Sequence, residues 1–182
     1  MRIHLLRCTI QSFMNIKNKI YMLRYSLLIL SLLVAACNGK GNEQSEQSES
    51  RQLDYTATVT FLDSSEQEIV TVRSAIADDD NSRSEGLMNV QNMPEDAGML
   101  FIFDDETPRS FWMANTPLSL DILFVNSEME IVRIHRNTSP YSHENIVSET
   151  PAKYVVEVNA GFTLNHDIRE GMMIEYSLDS PQ

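Results

Sequence analysis

Asp121 is the residue whose type and setting most invite chemistry. It interrupts the apolar run Leu118 to Val125, LSLDILFV. Alternation along that run places Leu118, Leu120, Ile122 and Phe124 on one side and Ser119, Asp121, Leu123 and Val125 on the other. A carboxylate among apolar side chains costs several kcal/mol unless a cation or hydrogen-bond donors meet it. Arg83 and Arg109 are the expected partners. Just upstream, Phe111-Trp112-Met113-Ala114-Asn115-Thr116 supplies aromatic surface, and Asn115 and Thr116, beside Pro117, can cap the loop through their side chains. One reading makes Arg83, Trp112, Asn115 and Asp121 the rim of a ligand pocket, with Trp112 as stacking surface. The other makes them an internal polar clamp on the loop after Met113. The sequence favours the clamp, because buried ion pairs often serve structure.

Other residue types suggest other chemistry. His135 and His143 flank a loop with Glu144 and could in principle bind zinc or copper, but their spacing matches no ligand pattern such as H-E-x-x-H. Met88, Met99 and Met113 offer thioethers to Cu(I), yet they lie inside apolar blocks, where methionine is usually core filler. A hydrolase would need an activated nucleophile or paired carboxylates. Asp121 with Glu157 could form such a pair, and Asp121 with a histidine could serve a hydrolase. The chain has no G-x-S-x-G, no P-loop and no dinucleotide fingerprint. Catalytic residues therefore stay unassigned, no metal ligands are chosen and no cofactor is implied.

These residues sit in an acidic chain. All 26 acidic residues follow Cys37 while five of the 14 basic ones precede it, so the part from Cys37 onward holds 9 basic against 26 acidic residues, a net charge of −17. Such a surface repels phosphate backbones, and nucleic acid is not an expected partner. The 182 residues and 42% hydrophobic content suit one domain with a real core.

The amino-terminal end carries an address. Ser26 to Ala36, SLLILSLLVAA, follows Arg24 and is almost wholly apolar. As a helix it would rise about 16 Å, roughly half of a ~30 Å hydrocarbon core, which is too short for a permanent span. Residues 1–36 read as a signal peptide. Val34-Ala35-Ala36-Cys37 resembles the lipobox of bacterial lipoproteins, which implies that Cys37 is lipidated and becomes the mature amino terminus. Asn38 after the cysteine, by the same analogy, implies the periplasmic face of the outer membrane. A start at Met22 would leave a more compact signal. Cys8 lies upstream, so after cleavage no cysteine remains but the lipidated one, and disulfides and thiolate sites are excluded. Residues 37–52 follow as the lipidated cysteine and a tether, NGKGNEQSEQSESRQ, with no apolar residue to order it.

Residues 53–182 read as a single β-rich domain. Leu53 to Phe61 alternates with period two, Asp63-Ser64-Ser65 turns, and Glu68 to Ile76 returns as a second strand. Asp78 to Asp80 favour the start of a short helix over Ser82 to Met88, which Gly86 keeps short. Met99 to Phe103 and Leu118 to Val125 form central strands, with Asp104 to Pro108 as a turn between the first of them and Arg109 to Met113. Glu130 to Arg136 follows a hairpin loop. Asn137 to Ala152 is expected to be a long polar loop before strand Lys153 to Asn159, a turn or short helix from Gly161, and a closing strand Met172 to Leu178. About eight short strands with brief turns predict an all-β antiparallel sandwich or barrel with one or two short helices.

The ordered blocks Arg83-x-x-Gly86-Leu87-Met88, then Met93-Pro94-x-x-x-Gly98-Met99-Leu100-Phe101-x-Phe103, then Phe111-Trp112-Met113-x-Asn115-Thr116-x-x-x-Leu120-Asp121-Ile122 resemble the prokaryotic domain-of-unknown-function 192 family. Val156-Glu157-Val158-x-Ala160-Gly161 and Gly171 look like that family's carboxy-terminal end, so the resemblance spans roughly Tyr55 to Tyr176. Ala114 stands where members often have Lys, and Ser119 where many have Pro. The resemblance implies a compact, mostly β domain and no established activity. The sequence thus predicts an envelope lipoprotein, anchored to the membrane through Cys37, that acts as a binding module for a small molecule or a protein. The rival expectations are an envelope hydrolase using Asp121 with a histidine, and a periplasmic metal-handling protein.

Overall fold

The structure is a computed structural model that describes residues 50–179. The expected signal peptide, the lipobox with Cys37 and most of the tether lie outside the described residues. The last part of the expected tether belongs to the folded unit. Arg51 N–H donates to the Asn89 carbonyl at 3.2 Å, its guanidinium reaches Glu85 Oε1 at 2.8 Å, and Gln91 N–H donates to Ser50 Oγ at 3.1 Å.

Seven strands form one sheet: β1 (Tyr55–Leu62), β2 (Glu68–Ala77), β3 (Ala97–Phe111), β4 (Leu120–Val125), β5 (Ile131–His135), β6 (Ile146–Asn159) and β7 (Met173–Leu178). Their order across the sheet is β5-β4-β6-β3-β2-β1-β7. The all-β class holds, with seven strands among the described residues where about eight are expected. Every pairing is antiparallel except β2 with β3, which run parallel because the chain crosses between them through helix α1 (Asp80–Glu85). The sheet curls until its two edge strands touch at one end. Ile131 N–H donates to the Met172 carbonyl at 2.8 Å and Ile174 N–H to the Met129 carbonyl at 2.9 Å, with a bridge between Glu130 and Met173. Helix α2 (Phe162–Asn165) packs Phe162 against Phe61, ring centroids 5.7 Å apart.

Curling gives the sheet two buried faces. Val59, Phe61, Leu100, Leu123, Val156 and Ile174 fill the inner face. Ala77, Phe101, Met113, Ile122, Phe124 and Val155 form a second cluster on the outer face, roofed by Leu87, Val90 and Met93 from the segment after α1. Central strands covered on both faces explain the nearly continuous apolar runs in β3 and β4, which Asp121 alone interrupts in β4. A bulge between Tyr55 and Ala57 breaks the simple alternation of the first strand, so that Tyr55 packs on the outer cluster while Val59 and Phe61 face inward.

Helix α1 starts as the sequence suggests. The Asp79 carboxylate accepts the N–H groups of Asn81 at 2.8 Å and Ser82 at 3.1 Å, while Ser82 Oγ accepts the Asp79 N–H at 3.1 Å, forming a reciprocal cap. It stops at Gly86, whose φ of +47° strains any other residue and where a Cβ would press on the Phe101 ring at 3.3 Å. That close approach seats the end of α1 on the outer face of β3. No helix of the described residues is long and apolar enough to cross a membrane.

Candidate functional site

The end of α1, the aromatic residues of β3 and the middle of β6 enclose a cleft of about 270 Å³ on the outer face. Phe101, Phe103 and Phe111 form one wall, with Phe111 edge-on to Phe101 at 5.0 Å and to Phe103 at 6.4 Å. Edge-to-face packing of this kind holds aromatic rings in fixed orientations. Trp112, at the end of β3, stands on the rim and is 54% exposed. Its ring meets His143 edge-on at 6.2 Å.

The floor of the cleft carries a carboxyl group. Glu157 sits in the middle of β6, facing the same side as its cross-strand neighbours Met99 of β3 and Ile122 of β4, both buried and apolar. The residue is only 4% exposed, and among the described residues no hydrogen bond or ion pair reaches its carboxyl. Burial pushes that carboxyl up to about 8, since nothing nearby compensates the charged form. The neighbouring strand comes very close: a Cβ on Gly98 would lie 2.5 Å from the Glu157 carbonyl oxygen, so only glycine lets β3 pack against β6 here.

Arg83 projects from α1 into the wall of the same cleft, but its guanidinium is already held. It donates to the carbonyls of Asp78 at 2.6 Å and Ile102 at 2.8 Å and to Asp80 Oδ1 at 2.8 Å, and it lies 5.3 Å over the Phe103 ring. Arg109 is likewise bound to Asp105, at 2.8 Å, and its guanidinium lies 3.8 Å over the Phe103 ring. Neither arginine meets Asp121, which corrects the expected pairing.

Asp121 lies on the inner face and is fully buried. Its Oδ1 accepts the N–H groups of Asn137 at 2.9 Å and Gly161 at 3.2 Å, and its Oδ2 accepts the Thr163 N–H at 3.0 Å and hydroxyl at 2.7 Å. The Thr163 hydroxyl in turn accepts from Arg136 Nε at 2.9 Å. A carboxylate met by four donors is a structural clamp: it ties β4 to the turn after β5 and to the start of α2. None of its donors is a histidine, so the Asp121–histidine arrangement of a hydrolase is not formed. The carboxylate pair with Glu157 is not formed either, because Asp121 pairs with Val158 and Glu157 with Ile122, which sends the two carboxyls to opposite faces.

Of the four residues expected to rim a pocket, the cleft therefore collects Arg83 and Trp112. Asn115 sits in the loop between β3 and β4 with φ of +56°, and its carbonyl accepts the Asn89 N–H at 2.9 Å, which braces the outer roof without lining the cleft. Glu157 was named in the sequence only as a possible partner for Asp121. The signal that flags it is the one that flags Asp121, a carboxylate inside an apolar strand, Tyr154-Val155-Val156-Glu157-Val158.

The histidines are dispersed. His135 Nε2 lies 2.8 Å from the Val147 carbonyl and shares a second cleft of about 280 Å³ with Glu144, whereas His143 lies beside Trp112 and His166 stacks on Phe162 at 4.6 Å. Among the described residues no three His, Cys, Asp or Glu side chains converge as a metal site would require. Met99 and Met113 are buried in the outer core.

Comparison with known proteins bears on the fold and the family. The DUF192 family model, described as an uncharacterised ACR family, matches residues 61–176. A crystal structure of a Sinorhizobium meliloti protein, named as a candidate transcription regulator, is similar at 35% identity and a TM-score of 0.65, covering 69% of this chain and 98% of the other. A Novosphingobium aromaticivorans protein of unknown function is similar at 29% identity and a TM-score of 0.61, covering 65% of this chain and 83% of the other. No curated protein matches the chain.

Proposed function

The chain belongs to the domain-of-unknown-function 192 family, and from that membership, which brings no activity with it, we propose that it is a membrane-tethered envelope lipoprotein whose outer-face cleft binds a small organic ligand. Residues 1–36 direct export, Cys37 carries the lipid, and the mature protein stays at the periplasmic face of the outer membrane. Two or more acyl chains at about 0.8 kcal/mol per buried CH₂ hold such a domain without help from its own surface.

The observation that carries the binding role is Glu157. A buried carboxyl with no partner costs stability, and a fold retains that cost most readily where a ligand removes it. Aromatic walls and one polar group on the floor are the usual make-up of a small-molecule site, and a cleft of about 270 Å³ suits a compact ligand. The transcription role in the name of the Sinorhizobium meliloti protein is not carried over, because a net charge of −17 from Cys37 onward opposes approach to a nucleic-acid duplex.

Two experiments test the two halves. In a fragment screen read by amide chemical shifts, binders should perturb residues around Phe103, Trp112 and Glu157, and Trp112→Ala should weaken them about tenfold; perturbations confined to other surfaces would remove the cleft from consideration. In cells, labelled palmitate should enter the wild-type protein and not Cys37→Ser, and only the variant should wash out of the envelope fraction. Equal behaviour of the two would refute the anchor.

A further inference from the structure

Resting on the reading of the cleft as a ligand site, we propose that its ligand is an organic cation: a protonated amine on a flat or apolar body, with the ammonium seated on the Glu157 carboxylate and the body held between the β3 aromatic rings.

Charge accounting within the cleft selects this class. Three charged residues line it, Arg83, Glu85 and Glu157. Arg83 is held by Asp80 at 2.8 Å and by two carbonyls, and Glu85 by Arg51 at 2.8 Å. Glu157 alone lacks an opposite charge, and β3 and β4 place only Met99 and Ile122 on either side of it. An anionic ligand would meet a guanidinium already bonded through both of its terminal nitrogens, and a carboxyl on the floor. A cation would find a single unpaired acceptor at the bottom and aromatic rings along the wall, where cation–π attraction adds to burial. Phe103 already takes cations of the protein itself, with the Arg109 guanidinium 3.8 Å and the Arg83 guanidinium 5.3 Å over its ring, so the ligand body falls to Phe101, Phe111 and Trp112. The acidic surface as a whole raises the local concentration of cations.

Binding of this kind moves a proton. With its carboxyl pushed up to about 8, Glu157 is largely protonated at pH 7 in the free protein. An ammonium seated against it favours the carboxylate, so the proton leaves the carboxyl oxygen for solvent as the ion pair forms. Nothing else in the cleft competes for that proton, because Arg83 and Glu85 keep their charged partners throughout.

The test titrates the purified protein with 2-phenylethylammonium, its neutral isostere 2-phenylethanol, and phenylacetate, by calorimetry in two buffers of different ionisation enthalpy. The ammonium probe should bind at least tenfold more tightly than the alcohol and release roughly nine-tenths of a proton at pH 7, falling towards zero at pH 9, as a group near 8 requires. Phenylacetate should bind most weakly. Glu157→Gln should erase both the proton release and the preference for the ammonium. The wild-type proton count stands independently of whether that variant folds. If ammonium and alcohol bind equally, or the ammonium binds without releasing a proton, the cation assignment is overturned while the cleft remains a ligand site. If none of the three probes perturbs the cleft residues, the ligand-site reading falls with it.

Discussion

Asp121 and Glu157 lie on paired strands one residue out of register, Asp121 opposite Val158 and Glu157 opposite Ile122, and they face opposite sides of the sheet. Both carry carboxyl groups in apolar strands, yet their surroundings divide them. Asp121 receives four hydrogen bonds and fastens two loops and a helix to β4; Glu157 receives none and forms the floor of a cleft. The fold thus places one carboxyl where it is used for stability and the other where it costs stability.

Removing the clamp should be severe. Asp121→Ala leaves the N–H groups of Asn137, Gly161 and Thr163 without their acceptor in a buried setting, so a loss of about 3 kcal/mol or more is expected from urea unfolding midpoints. A double-mutant cycle of Asp121→Asn with Thr163→Val should show coupling of about 1 kcal/mol, whereas the cycle with Arg83→Ala should be additive to within ~0.5 kcal/mol. Strong coupling to Arg83 would contradict the geometry.

Glu157 should make the protein less stable as pH rises. Its folded value near 8 lies above the ordinary 4.5, so between those values the folded state binds more protons than the unfolded one. Stability from this group is therefore complete below about pH 4.5, declines across the interval and is gone above pH 8, at a slope of up to ~1.4 kcal/mol per pH unit. Glu157→Gln should flatten this decline, and the difference between variant and wild type, followed by urea unfolding from pH 5 to pH 9, should move steadily in favour of the variant. A constant difference would show that the group titrates normally.

Gly98 should tolerate no side chain. The Cβ of Gly98→Ala would sit 2.5 Å from the Glu157 carbonyl oxygen, and backbone cannot yield as a flexible side chain can, so β3 and β6 must separate locally. A loss of about 2 kcal/mol is expected, with faster amide exchange at Val156 and Val158. Stability equal to wild type would mean that the two strands pack less closely than described.

Much of this architecture was legible in the residues, and the failures have identifiable causes. Alternation located β1 and β2, and the capping residues located α1, because those signals are local. The span Asp104 to Pro108 reads as a turn and Ile146 to Ala152 as loop, yet they pair as the outer ends of β3 and β6, Thr107 opposite Ala152 and Ser110 opposite Val147. The β3 arm is largely exposed, and the β6 arm buries Ser148 and Ala152 beside Ile146, so neither shows the apolar period that betrays a strand. The parallel pairing of β2 with β3 depends on which edge the chain returns to after α1, and no short-range pattern encodes that. The same limit explains the misassigned partner of Asp121. Arg83 and Asp121 belong to opposite faces of a sheet whose strand order had to be known first, and Glu157 joins Arg83 in the lining of one cleft only once that order is fixed.

The most direct test of the account is the titration of the Glu157 side-chain carboxyl itself, followed by its carbon resonance in glutamate-labelled protein and assigned by comparison with Glu157→Gln. A midpoint near 8 in the ligand-free protein, moving downward when 2-phenylethylammonium is added, is the predicted result. A midpoint in the ordinary range near 4.5, unmoved by the amine, would mean that the carboxyl is solvated or paired in solution and would contradict the central claim.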